Sequence, residues 1–240
     1  MKKLFKQNCF ILLFFAFFVT EYSAQTAVMP DGSGTSEDPY RMATWQNLYW
    51  LSQNSGYWDD HFKQMDDISF PTSGDDNIQN WDGGGGWTPI GNSSTFFTGD
   101  YDGNGKIIRN LYIYRSGTNE QAFFDFVYSG SYIHELSLEN CYVKGRHVVG
   151  GLIARVYHSA SDTSISIVDC HVSGSIVGTY DEAGGLIGRI EVYENVTGGD
   201  TYNVFVTECS ADISITAAGK VGGLIGECGG YSSTKNPDCN

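Results

Sequence analysis

Two aspartates, Asp100 and Asp102, sit two positions apart in the run FTGDYDGNG (97–105). On a strand, residues i and i+2 share a face, so this pair can converge on a substrate in the way clustered acids serve polysaccharide-cleaving β-helix enzymes. The same run also carries turn chemistry: Asp and Asn side chains bond nearby backbone and Gly supplies positive φ. Calcium at these carboxylates is a third use, although the spacing matches no specific calcium loop. The pairs Asp59/Asp60, Asp66/Asp67 and Asp75/Asp76 are sequence neighbours, which point to opposite faces of a strand.

The segment His134-Glu135-Leu136-Ser137-Leu138 opens like the zinc-protease pattern HExxH, but Leu138 stands at the second ligand position. Zinc hydrolysis needs both histidines on one helix face and this segment reads as a strand, so no bound zinc is expected. His61, His147, His158 and His171 show no ligand spacing and read as loop or strand-face residues. Neither a GxSxG nucleophile elbow nor a GxxxxGK[ST] phosphate loop occurs. Tyr157, Tyr193 and Tyr202 lie in or beside variable loops and offer rings to a sugar; covering neighbouring turns is their simpler role.

These residues must be positioned by an exported, turn-rich chain. Of 240 residues, 28 are acidic and 14 basic, a net charge of −14 that repels a phosphate backbone and excludes nucleic acid as a partner. Charged residues reach only 18% and glycines number 30, while a hydrophobic share of 41% suffices for a core and rules out wholesale disorder. Lys2, Lys3 and Lys6 precede the apolar run Cys9–Val19 and a small residue at Ala24, the layout of a secretory signal peptide over 1–24. That run is shorter than the roughly 20 residues a membrane helix needs, and no later stretch is longer. The protein is therefore expected to be secreted or at the cell surface, with no transmembrane span.

Residues 25–95 read as an N-terminal cap and entry region. Thr44 is the expected N-cap of a helix over 45–53 with Trp45, Leu48 and Leu51 on its apolar side, and loops follow around at most one strand near 67–70. From residue 96 the chain repeats. Gly-Gly-Leu-Ile recurs at 150–153, 184–187 and 222–225, and AFFDF (122–126) reads as a degenerate first copy. Copies at 123, 152, 186 and 224 are 29, 34 and 38 residues apart, the loop-limited variation of stacked coils. Each holds three strand-like pieces, as in 151–156, 164–170 and 174–178. The expected fold is all-β, a parallel β-helix with three short strands per rung over 96–240 and a short capping helix. Gly150, Gly151, Gly184, Gly185, Gly188, Gly222, Gly223 and Gly226 allow close approach between rungs, and Leu152, Leu186 and Leu224 fill one interior column. Six cysteines occur, Cys9 in the signal peptide. Cys141, Cys170 and Cys209 end successive apolar runs and are expected to form a second, reduced column, with Cys228 and Cys239 beyond it. The early Cys239 and the missing polar cap give the expectation of an array that continues past residue 240, the alternative being that residues 227–240 fold back as a small irregular cap pinned by Cys228 and Cys239.

AGGLIG (183–188), VGGLIG (221–226) and VGGLIA (149–154) resemble the Gly-Leu-x-Gly unit of the GLUG-motif family, departing at Ala154. DPYRMATWQNLYWLS (38–52), WTPIG (87–91) and FTGDYDGNGKIIRNLYI (97–113) match that family's lead-in. The resemblance implies a secreted or surface β-helix of bacteria, adhesin-like or the non-catalytic region of a larger secreted peptidase. The expected function is adhesion or binding, to glycans or extracellular proteins, without catalysis. A polysaccharide-active enzyme is the alternative.

Overall fold

The computed structural model describes residues 25–159, 163–193 and 203–231. The signal-peptide segment, Tyr202 and Cys239 lie outside them. Among the described residues every strand pair is parallel, and the strands form three sheets. One sheet stacks Phe124–Tyr128, Ile153–His158, Ile187–Tyr193 and Ile225–Tyr231 in sequence order. A second stacks the short strands Glu120–Gln121, Val148–Gly150, Ala183–Gly184 and Val221–Gly222. The third and largest includes Tyr40–Met42, His61–Gln64, Asp100–Arg109, Tyr132–Gly145, Ser164–Val168, His171–Gly178, Asn203–Thr207 and Ser210–Ala217. Parallel sheets joined in this order make a coil of the β-helix type, with the core enclosed between them.

The Gly-Gly-Leu-Ile copies stack as their spacing predicts. Ile153 pairs with Phe124 on one side and Ile187 on the other, and Ile187 pairs with Ile225. The backbone amide of Leu152 donates to Leu186 O at 3.0 Å, and that of Leu186 to Leu224 O at 2.9 Å. Leu152 and Leu186 are wholly buried, whereas Leu224 is only half-buried because no described turn covers it. The glycines keep the turns this close: a Cβ on Gly151 would lie 2.5 Å from Gly185 O, and one on Gly185 would strike Gly223 O.

The cysteine column needs correction. Register places His171 beside both Ser137 and Ser210, so Cys170 stacks on Leu136 and Cys209. Cys141 instead pairs with Gly174, across a register shift between Val172 and Gly174. The spans are equal only by number, because the turn before Tyr132 is shorter than those before Ser164 and Asn203. All three thiols are free, with Cys141 and Cys170 buried and Cys209 half-buried. Cys228 is disulfide-bonded.

At the other end, the helix Trp45–Gln53 forms where expected. The Thr44 hydroxyl accepts from Asn47 N and the Asn47 side chain accepts from Thr44 N, a reciprocal cap. Its Leu48 and Leu51 are fully buried, and Trp45 and Tyr49 pack on Trp81. The segment 55–91 holds more than the one expected strand. His61–Gln64 pairs with Tyr40–Met42 and with Asp100–Asp102, so parallel pairing begins at Tyr40, upstream of the boundary expected at 96.

Leu186→Ala should lower unfolding free energy by about 2–5 kcal/mol as a fully buried truncation. Leu224→Ala should cost less than half as much. Urea titration of both variants measures the ratio, and equal losses would contradict the stacking order.

Candidate functional site

Stacking assembles a polar cleft that no local motif reveals. His61, Asp100 and Tyr132 stand in one row across adjacent turns, and Lys63, Asp102 and His134 in the row two residues on. All six line an open cleft of 460 Å³ on the outer face of the largest sheet, with Ser36 and Pro39 at its rim. Asp100 and Asp102 therefore share a face, as the i, i+2 spacing requires.

Their environments differ. Lys63 Nζ lies 2.5 Å from Asp102 Oδ2, and Asn104 N donates to Asp102 Oδ1 at 2.7 Å. Asn104 and Gly105 adopt positive φ and the register shifts between Asp102 and Lys106, so Asp102 does anchor a turn. Asp100 faces imidazoles: His61 Nδ1 is 3.3 Å from Oδ2 and His134 Nε2 is 3.3 Å from Oδ1. The other His134 nitrogen looks toward Asp102 Oδ1 at 3.8 Å and Glu135 Oε1 at 3.9 Å. Burial alone would lower the His134 pKa, but contact with Asp100 and the charges of Asp102 and Glu135 raise it above its ordinary value. The His134 ring stacks on Tyr132 with centroids 4.1 Å apart, and Tyr132 stays 39% exposed.

Asp102, His134 and Glu135 have the donor types of a metal site. Calcium at Asp100 and Asp102 would have to displace Lys63 and enter beside two imidazoles, which are poor partners for a hard cation. The main omission is the pairing of His61, read from sequence as a loop or strand-face residue, and His134, read only as the start of a broken HExxH pattern, with Asp100. Only the alignment of HFK (61–63) with DYD (100–102) and YIH (132–134) would have found it.

The tyrosines fall elsewhere. Tyr157 stacks with Tyr128 at 5.6 Å and with Phe96 at 5.9 Å, and Tyr193 lies 4.8 Å from Tyr157. These ring faces are largely occupied by one another, so the column shields the outside of neighbouring turns. On the same sheet Arg155 bridges Glu120 at 2.9 Å and Glu191 at 2.8 Å, while Arg189 reaches Glu191 at 2.9 Å and Glu227 at 3.4 Å. Lys220 pairs with Glu227 and approaches Glu182 at 3.8 Å.

Fold and cleft define a parallel β-helix-type repeat protein with a polar, aromatic-edged groove on its outer wall. No protein-family model matches the chain. It is similar to a halomucin of Haloquadratum walsbyi, 33% identical over 158 residues, covering 65% of this chain and 2% of that protein. It is also similar to a candidate Gly-rich membrane protein of Evansella cellulosilytica, 29% identical over 164 residues, covering 66% of this chain and 18% of that protein. The chain thus spans a small share of either relative. Among solved structures, a candidate immunoglobulin A1 protease from Bacteroides ovatus aligns with a TM-score of 0.52 at 16% identity, covering 88% of this chain and 82% of that one. At that identity the likeness is one of fold. Among the described residues, no helix is long and apolar enough to cross a membrane.

Glu182 gives a pH prediction. Burial first, then the neighbouring Glu227 and Asp181, push its pKa up from 4.5 to about 7, while Glu227 is held low by the hydrogen bond from Glu182. A raised acid favours the folded state below its unfolded pKa, and that contribution is lost as pH climbs through the folded value. Glu182→Gln, which keeps a donor for Glu227, should therefore remove a stability loss on the order of 1–3 kcal/mol between about pH 4.5 and 7. Thermal unfolding across that range measures it, and parallel curves for both proteins would refute the assignment.

Proposed function

We propose that this chain is an exported β-helix repeat segment of the GLUG-motif type, with three strands per rung. On this reading it acts by adhesion or binding at the cell surface or in the medium, as part of a longer protein. The observation that carries this reading is the cleft around Asp100. A saccharide presents hydroxyl groups and an apolar C–H face, and the cleft offers ion-paired carboxylates and imidazoles beside the exposed ring of Tyr132. The names of the relatives, a halomucin and a candidate membrane protein, fit a place at the cell boundary. The likeness to a candidate immunoglobulin A1 protease fits a non-catalytic region of a larger secreted protein. Polysaccharide cleavage is the second reading, favoured by two carboxylates on one face. Against it, both carboxylates are already engaged, Asp102 by Lys63 and Asp100 by the His134 imidazole.

A glycan and matrix-protein array should give saturable binding to a polysaccharide class without its cleavage. Tyr132→Ala should weaken that binding about fivefold, the equivalent of ~1 kcal/mol of ring contact. Chain shortening of the bound polysaccharide would establish the enzyme reading. Binding indifferent to Tyr132→Ala would move the contact away from the cleft.

A further inference from the structure

We infer that Cys170 and Cys209 form a redox-modification site, at which a small external disulfide of the oxidised-glutathione class converts the two thiols into a cross-turn bridge. The site stands apart from glycan contact at the cleft. Val168 pairs with Thr207 and His171 with Ser210, so the two cysteines lie directly opposite each other on adjacent turns. The Ser210 amide donates to Cys170 O at 3.0 Å and closes the turns together at this point. Both side chains leave the same corner, because Asp169 and Glu208 just before them take positive φ. Each thiol then meets equivalent carbonyls. Cys170 Sγ lies 3.4 Å from Val168 O and 3.7 Å from Ile133 O. Cys209 Sγ lies 3.2 Å from Thr207 O and 3.5 Å from Ile167 O. In-register strands about 4.8 Å apart fall inside the Cα range of about 4.4–6.8 Å that a disulfide spans, so side-chain rotation is enough to join them.

The two thiols have unequal roles. Cys209 is half-buried and open to an oxidant, whereas Cys170 is buried. The hydrogen bond between them lowers the Cys209 pKa and raises that of Cys170, and burial adds to the second rise. The Cys209 thiolate therefore attacks the external disulfide RS–SR, forming Cys209–S–SR and releasing RS⁻. Cys170 then gives its proton to solvent and attacks the Cys209 sulfur, forming the bridge and releasing the second RS⁻. Two electrons pass from the cysteine pair to RS–SR, which leaves as two thiols. Cys141 has no such partner: it lies between Leu111 and Gly174, and burial pushes its pKa up to about 12. The bridge ties a turn whose Val204 and Val206 are only half-buried to one whose Ile165 and Ile167 are wholly buried.

Oxidised glutathione at mildly alkaline pH, added to the folded chain with its free thiols, should join Cys170 to Cys209 and leave Cys141 free. Differential alkylation with peptide mapping reads this. In a glutathione redox titration the two cysteines should convert together, at one midpoint. Cys170→Ser should stop at a persistent Cys209–glutathione mixed disulfide. Cys209→Ser, at the more exposed of the two positions, perturbs the fold least and should slow glutathione addition at Cys170 by more than about tenfold. Cys141→Ser should bridge as the parent does. The assignment is overturned if both thiols stay free, if the parent stops at the mixed disulfide, if either cysteine bridges to Cys141 or Cys228, or if Cys170 reacts as fast without Cys209.

Discussion

Hydrogen bonding between successive parallel turns is the interaction on which everything else in this protein depends. Strands spaced about 4.8 Å apart put equivalent residues of neighbouring turns in direct contact, so each position along a turn becomes a column. Inward columns hold the core: Phe124, Ile153 and Ile187 stack in register and are fully buried. Outward columns have no such common solution, because identical charges directly opposite repel. Where like charges do meet, neighbouring acids compensate: Arg155 and Arg189 stand directly opposite each other in register, flanked by Phe126 and Glu227, and Glu191 bridges the two guanidiniums. The cleft residues obey the same constraint, with Lys63 opposite Asp102 and His61 opposite Asp100.

Much of this was legible from residue patterns, and the failures have physical causes. Gly-Gly-Leu-Ile marks a point where backbones approach too closely for a Cβ, so its spacing follows the true turn length. The cysteines mark no such contact. Counting from Phe123 to Cys141 assumed a constant turn, and a shorter one before Tyr132 lets Leu136 take the place beside Cys170 while Cys141 moves to Gly174. His61–Gln64 is not legible as a strand, because four residues carry too little periodicity to separate a strand from a loop. With that strand hidden, the partners of Asp100 were hidden too.

The paired aspartates show how one local motif carries two roles. Asp102 binds Asn104 and Lys63 and so holds the corner at which Asp100–Arg109 shifts register. Asp100, two residues earlier, is free of that duty and turns to the imidazoles of the flanking turns. Turn chemistry and site chemistry are neighbours in one strand, and only the stacked partners separate them.

The most direct test of this account is cross-linking of engineered cysteine pairs, located by peptide mass mapping. His61→Cys with Asp100→Cys joins positions in register, within the Cα separation of about 4.4–6.8 Å that a disulfide spans. His61→Cys with Asp102→Cys sets the partners two residues out of register, at roughly 7–8 Å. The account predicts spontaneous bridging of the first pair and none of the second. Equal bridging of both, or preference for the second, would contradict the register that builds the cleft.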